Sequence, residues 1–179
     1  MRQLTSTMLV LLATGIAGCG DHSESISLAR GSLSVSSAEV RIASSAGPDA
    51  HLTSDGRLLI GADDVALDAA ARTAALAYFG AAQAITGHAL ETGKAGAEVG
   101  VAAAKEALNG IANGDTSHIG EHVEAKAADV ARAALKICAD IDALRTAQDA
   151  LAADVARFRP YAVASVGDVS DCRKDLAPH

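Results

Sequence analysis

His118-Ile119-Gly120-Glu121-His122 is the one run in this 179-residue chain whose residue types and spacing match a recognised chemistry. Histidines four apart on a helix share a face and can ligate one metal, with the glutamate beside them as general base for hydrolysis. The setting argues the other way. The run falls in the first turn of a predicted helix, beside the glycine-rich stretch 109–115, where no cleft is expected. The other histidines are His22, His51, His88 and His179, and a third ligand would have to come from Glu124 or Asp115. Solvated polar residues at an exposed turn account for the run more simply. The glycines form no phosphate loop after a strand, and no serine sits in a nucleophile elbow. Asp63-Asp64 reads as an acidic turn and a weak calcium site at most. His88, on an alanine-rich face, reads as a polar residue at a helix surface or kink. The expectation is no enzyme, no cofactor and no resident metal, with a metal-dependent hydrolase on His118, Glu121 and His122 as the competing reading.

Three cysteines carry more information. Arg2 gives a short positive start, and residues 9–18 are apolar or small but too few to span a bilayer. The segment ends in Ile16-Ala17-Gly18-Cys19, which resembles the bacterial lipobox. That resemblance implies cleavage before Cys19 and lipid attached to it, so residues 1–18 are a signal peptide and Cys19 is the membrane anchor. Gly20 follows the cysteine and Asp21 comes one later, which leans toward the periplasmic face of the outer membrane rather than the inner membrane. Cys138 and Cys172 are then an even pair in an oxidising compartment and read as a disulfide. A net charge of −7 argues against nucleic acid and against electrostatic docking on anionic lipid.

The elements that must position these residues are legible in the hydrophobic period. Residues 19–25 are a polar tether. From Ile26 the period is two: Ile26 and Leu28, Leu33 and Val35, Val40 and Ile42. Asp55-Gly56, between residues 51–54 and 57–60, is the strongest hairpin signal, and residues 65–67 lead into the helices. The expectation is an antiparallel meander of four or five strands over 26–67, laid on the helices that follow. Asp68 is placed to cap the first helix. The second helix carries a seam at steps of three and four: Val123, Ala127, Val130, Ala134, Ile137, Ile141, Leu144, Gln148, Leu151, Val155 and Phe158. Only Gln148 interrupts it. Asp129 with Arg132, Lys136 with Asp140, Asp142 with Arg145, Arg145 with Asp149, and Asp154 with Arg157 stand at ion-pair spacing off the seam.

Equal helical runs joined near Gly114 predict an antiparallel hairpin over 68–159, ended by Pro160. In that register Tyr78, Phe79, Phe158 and Tyr161, all the aromatic residues of the chain, gather at the open base. Gly96, Gly100 and Ala104 would either face Ala127 and Ala131 of the same hairpin, the favoured arrangement, or receive a partner helix. The tail, 160–179, reads as a strand over 161–166 that doubles back to bring Cys172 to Cys138.

The run 55–61, then Val65, Ala66, Leu67, Arg72, Leu76 and Tyr78, resembles the YggN-like family of exported proteobacterial proteins. The likeness covers roughly residues 26–108 and implies an exported address and a strand-to-helix junction, with no catalytic residues to carry over. The sequence surrounding His118 does not resemble zinc peptidases. The reading is an α+β protein: N-terminal antiparallel β-meander, long antiparallel helical hairpin, disulfide-tied tail. Its expected role is a lipid-anchored, non-enzymatic interaction or structural module whose protein partner the sequence does not identify.

Overall fold

The computed structural model describes residues 23–45, 47–113 and 119–176, with the backbone alone for 111–113 and 119–124. Residues 1–22, including Cys19 and His22, lie outside it, as do His118 and the turn at Gly114. Six strands follow one another: β1 (Glu24–Leu28), β2 (Gly31–Val35), β3 (Glu39–Ser44), β4 (Ala50–Thr53), β5 (Leu58–Ile60) and β6 (Asp63–Val65). They form an antiparallel meander in that order, so β1 and β6 are the edges. This is one strand more than the period-two pattern predicts. The first begins inside the expected tether, and the last comes before Leu67, because Gly61 turns the chain with φ of 61°.

Alternation sets the sheet's buried face. Leu33, Val35, Val40, Ile42, Ala50, Leu52, Leu58 and Ile60 point to the core. They also meet as cross-strand partners: Leu33 with Ile42, Val40 with Leu52, Ala50 with Ile60. Such rows fix the register, since a slip of one residue would turn every one of them to solvent.

Of two long helices, α1 (Ala69–Asn113) lies on that face and α2 (Ile119–Asp154) packs along α1. Asp68 caps α1 as expected, its Oδ1 accepting from the Ala71 amide at 2.8 Å. Two α1 side chains then grip the sheet's turns. Arg72 donates to the Asp55 carbonyl at 3.2 and 2.7 Å, and the Gln83 amide donates to the Ser36 carbonyl. Gly56 is required where the β4–β5 turn meets α1. Its φ is 80°, and a Cβ there would come within 2.9 Å of Leu76.

The aromatic residues gather at the base. Tyr78 and Phe158 meet edge to face at 6.1 Å, Tyr161 lies 6.3 Å from Phe158, and Phe79 packs against the same cluster. The α2 seam holds from Ala134 onward, with Leu144, Gln148, Leu151 and Val155 buried, while Ala127 is exposed. The helix stops four residues short of Phe158. Pro160 lacks an N–H, would clash with the Ala156 carbonyl in an α-helix, and disfavours α geometry at Arg159. Val155 turns extended instead, and Ala156–Tyr161 forms a 3₁₀ helix that drives Phe158 into the core.

The tail is not a strand. After the 3₁₀ helix the chain crosses to α3 (Val166–Asp175). Ser165 and Asp168 form a capping box there: the Ser165 hydroxyl receives the Asp168 amide and the Asp168 carboxylate receives the Ser165 amide. α3 returns along α2 and closes the Cys138–Cys172 disulfide, Cα atoms 5.7 Å apart.

Candidate functional site

The tail's seat on α2 is a polar clamp inside an apolar core. Gln148, 1% exposed, donates from Nε2 to the Ala164 carbonyl at 2.9 Å and accepts the Ala164 amide on Oε1 at 2.8 Å. A side-chain amide is the group that satisfies both backbone partners at once. Asp168 extends the hold, accepting the Ala29 amide at 2.8 Å from the β1–β2 turn. Partial burial pushes its carboxyl up. The Ser165 hydroxyl and the Ala29 and Ser165 amides outweigh that and hold it below the usual carboxylate range. Gly31 lets the tail lie close, since a Cβ there would come within 2.7 Å of Val163 and 2.3 Å of the Ala43 carbonyl.

Residues singled out for chemistry are mostly engaged in structure. Asp64 binds Arg57 at 2.6 Å and Asp63 binds Arg157 at 2.9 Å, so both carboxylates of the acidic turn are paired with arginines. Arg157 therefore does not pair with Asp154. Asp140 turns from Lys136 to His88, whose Nδ1 lies 2.5 Å from its Oδ2, and so ties α1 to α2 halfway along the hairpin. Asp129 with Arg132, Asp142 with Arg145 at 3.0 Å, and Arg145 with Asp149 at 2.8 Å stand as the spacing predicts. Glu121 and His122 fall in the first turns of α2, with their side chains outside the described set, and His118 lies outside it altogether. Among the described residues no group of three or more His, Cys, Asp or Glu is placed to hold a metal ion. No helix among them is long and apolar enough to cross a membrane.

The expected glycine contact is reversed. A Cβ at Gly93, Gly96 or Gly100 would meet no described residue within 4 Å, so these residues do not pack on Ala127 and Ala131. At about 100° per residue the inward face of α1 passes instead through Thr92, Ala95, Val99 and Ala102, which are half-buried. The opposite face is exposed and apolar. Leu90 is 60%, Val101 58% and Leu108 68% exposed, with Ala97 and Ala104 between them. These five lie within about 40° of one line down the helix, diametrically away from α2. Sequence reading missed this stripe, although its steps of seven, four, three and four were there to be seen. Beside Leu90 an open groove of about 460 Å³ runs between the start of β1 and α1, lined by Ile26, Ile85, Ala89 and Lys94 among others.

No family model, curated protein or solved structure matches this chain. The fold defines an α+β class in which a six-stranded meander caps the base of a helical hairpin and a disulfide ties the tail along its second arm.

Proposed function

We propose that this chain is a lipid-anchored protein of the periplasmic face of the outer membrane. It acts there as a non-enzymatic interaction or structural module, akin to the YggN-like exported proteins that it resembles. The observation that carries the interaction role is the solvent-facing stripe Leu90–Ala97–Val101–Ala104–Leu108. It is an apolar line, interrupted by Lys94, on an arm whose other face is already packed. Apolar side chains arranged this way mark docking surfaces, whereas scattered ones do not. The lipobox-like Ile16-Ala17-Gly18-Cys19 supports the anchor, and a paired Cys138–Cys172 accords with an oxidising compartment.

A photo-crosslinking residue in place of Val101, activated in intact cells, tests the role. Specific adducts at Val101 that disappear in Leu90→Asp and Leu108→Asp are the expected result. Val101 giving no adduct, while the protein fractionates with membranes, refutes an arm built for docking. Cys19→Ser is expected to leave the precursor uncut and release the protein from membranes; normal processing of that variant refutes the anchor.

A further inference from the structure

The exposed face of α1 is a heptad seam written to meet itself. Leu90, Ala97 and Ala104 fall at one core position of the heptad, and Lys94, Val101 and Leu108 at the other. All six are exposed, over a length of about 27 Å. We propose that this face pairs with the same face of a second copy, antiparallel and about a two-fold axis. The inference rests on the docking role given to the arm above and names its occupant.

Run antiparallel, the seam is complementary to itself. Leu90 lies over Leu108 of the second copy, Ala97 over its Val101, and Lys94 over its Ala104; by symmetry each contact occurs twice. Lys94 keeps its ammonium in water by laying its stem across that alanine. Along one flank Gly100 meets Gly100 at the axis and Gly93 meets Ala107. No described residue lies within 4 Å of where a Cβ on Gly93 or Gly100 would sit, so the backbones have room to approach.

Charge selects this arrangement. On the other flank Glu91 faces Lys105 of the second copy and Lys105 faces its Glu91, giving two symmetric ion pairs. None of Glu91, Lys94, Glu98 and Lys105 takes an ion-pair partner among the described residues. A parallel pairing in register would instead set Leu90 on Leu90 and Lys94 on Lys94 in the centre, burying like charges together. The antiparallel form has one opposing element, Glu98 beside Glu98 near the axis. With a seam this short, the association is weak in solution and strengthens where a membrane concentrates the copies. The two sheets lie at opposite ends of the pair, where β1 flanks the seam beside Leu90.

Sedimentation velocity on the purified full chain, over a concentration series to about 1 mM, reads the equilibrium directly. The expected result is a monomer–dimer equilibrium. Lys105→Glu should weaken it about tenfold, since it turns two attractive pairs repulsive. Adding Glu91→Lys to Lys105→Glu should restore it, and Glu98→Gln alone should tighten it. All three positions are exposed, so the variants keep the fold, which circular dichroism verifies. A chain that stays monomeric throughout overturns the pairing, as does a dimer indifferent to the charge swap or one weakened by Glu98→Gln. A Val101 crosslink that forms only to other proteins also overturns it and leaves the docking role standing. No crosslink of any kind removes both.

Discussion

Replacing Gln148 by leucine asks whether the single break in the α2 seam is a flaw or a fastening. On hydrophobic pattern alone leucine improves the stripe, adding apolar surface at a site 1% exposed. The structure gives the opposite sign. Both amide atoms of Gln148 are bonded to the backbone of Ala164, itself 3% exposed, at 2.9 and 2.8 Å. Leucine leaves the Ala164 N–H and C=O buried without partners, and each orphan costs about 1–3 kcal/mol. The apolar gain recovers only part of this, because the site is already dry in the native protein. The net expectation is a loss of about 2–4 kcal/mol, a large part of the 5–15 kcal/mol typical of a domain. The assay is urea unfolding without reductant, so that Cys138–Cys172 keeps the tail attached in both proteins. Gln148→Glu, which keeps an acceptor for the amide but loses the donor to the carbonyl, should also destabilise. A leucine variant as stable as the parent would refute the reasoning: the seam would then be ordinary core and the clamp incidental.

The other expectations are simpler. The Tyr78 hydroxyl is buried without a hydrogen-bond partner among the described residues, and burial pushes its phenol well above the ordinary value. Tyr78→Phe should therefore leave stability unchanged or raise it by up to about 1 kcal/mol, and a larger loss in urea unfolding contradicts an unpartnered hydroxyl. Removing the disulfide with Cys138→Ser and Cys172→Ser opens a link across 34 residues and should cost about 4 kcal/mol in the chain-entropy model, read as a lower urea midpoint with a slope equal to or steeper than the parent's, because the unlinked unfolded chain is less compact. The Asp168 carboxyl is held below its ordinary 3.8, so its stabilisation is present above that pH and lost as pH falls through the folded-state value. The parent should consequently lose stability more steeply than Asp168→Asn below about pH 4, and parallel acid profiles would show that the capping carboxylate contributes nothing.

Much of the fold was legible because it rests on local physics. The alternation from Ile26 to Ile60, the Asp55-Gly56 turn and the Asp68 cap each specify backbone geometry within a few residues, and each is found. The Cys138–Cys172 pair followed from parity and an expected exported address, and the disulfide is present. What failed needed information from outside its own stretch. Lys136 and Arg157 have partners at good spacing on their own chain segment, yet Asp140 goes to His88 and Arg157 to Asp63, because tertiary neighbours bring better geometry than the next turn of helix. The tail is instructive in another way. Ser165 and Asp168 spell a capping box at the correct spacing, a signal that the expected strand, resting on the alternation over 161–166, leaves out.

The arm of α1 shows most clearly why a pattern needs an orientation. Glycines at steps of three and four and apolar residues at steps of seven and four run side by side from Gly93 to Leu108, each a credible contact face. Sequence alone does not say which side of the helix α2 will take. The base decides it: once Arg72 and Gln83 are bonded to the sheet's turns, the rotation of α1 is fixed. At 100° per residue, that rotation carries Val99 toward α2 and Val101 away from it. Leu90, Val101 and Leu108 are therefore exposed through a constraint set some 20 residues earlier, and no local change to the arm can bury them against its own hairpin. The apolar line held outward by a rigid base has no cover among the described residues, and the proposed pairing through Glu91 and Lys105 would supply one.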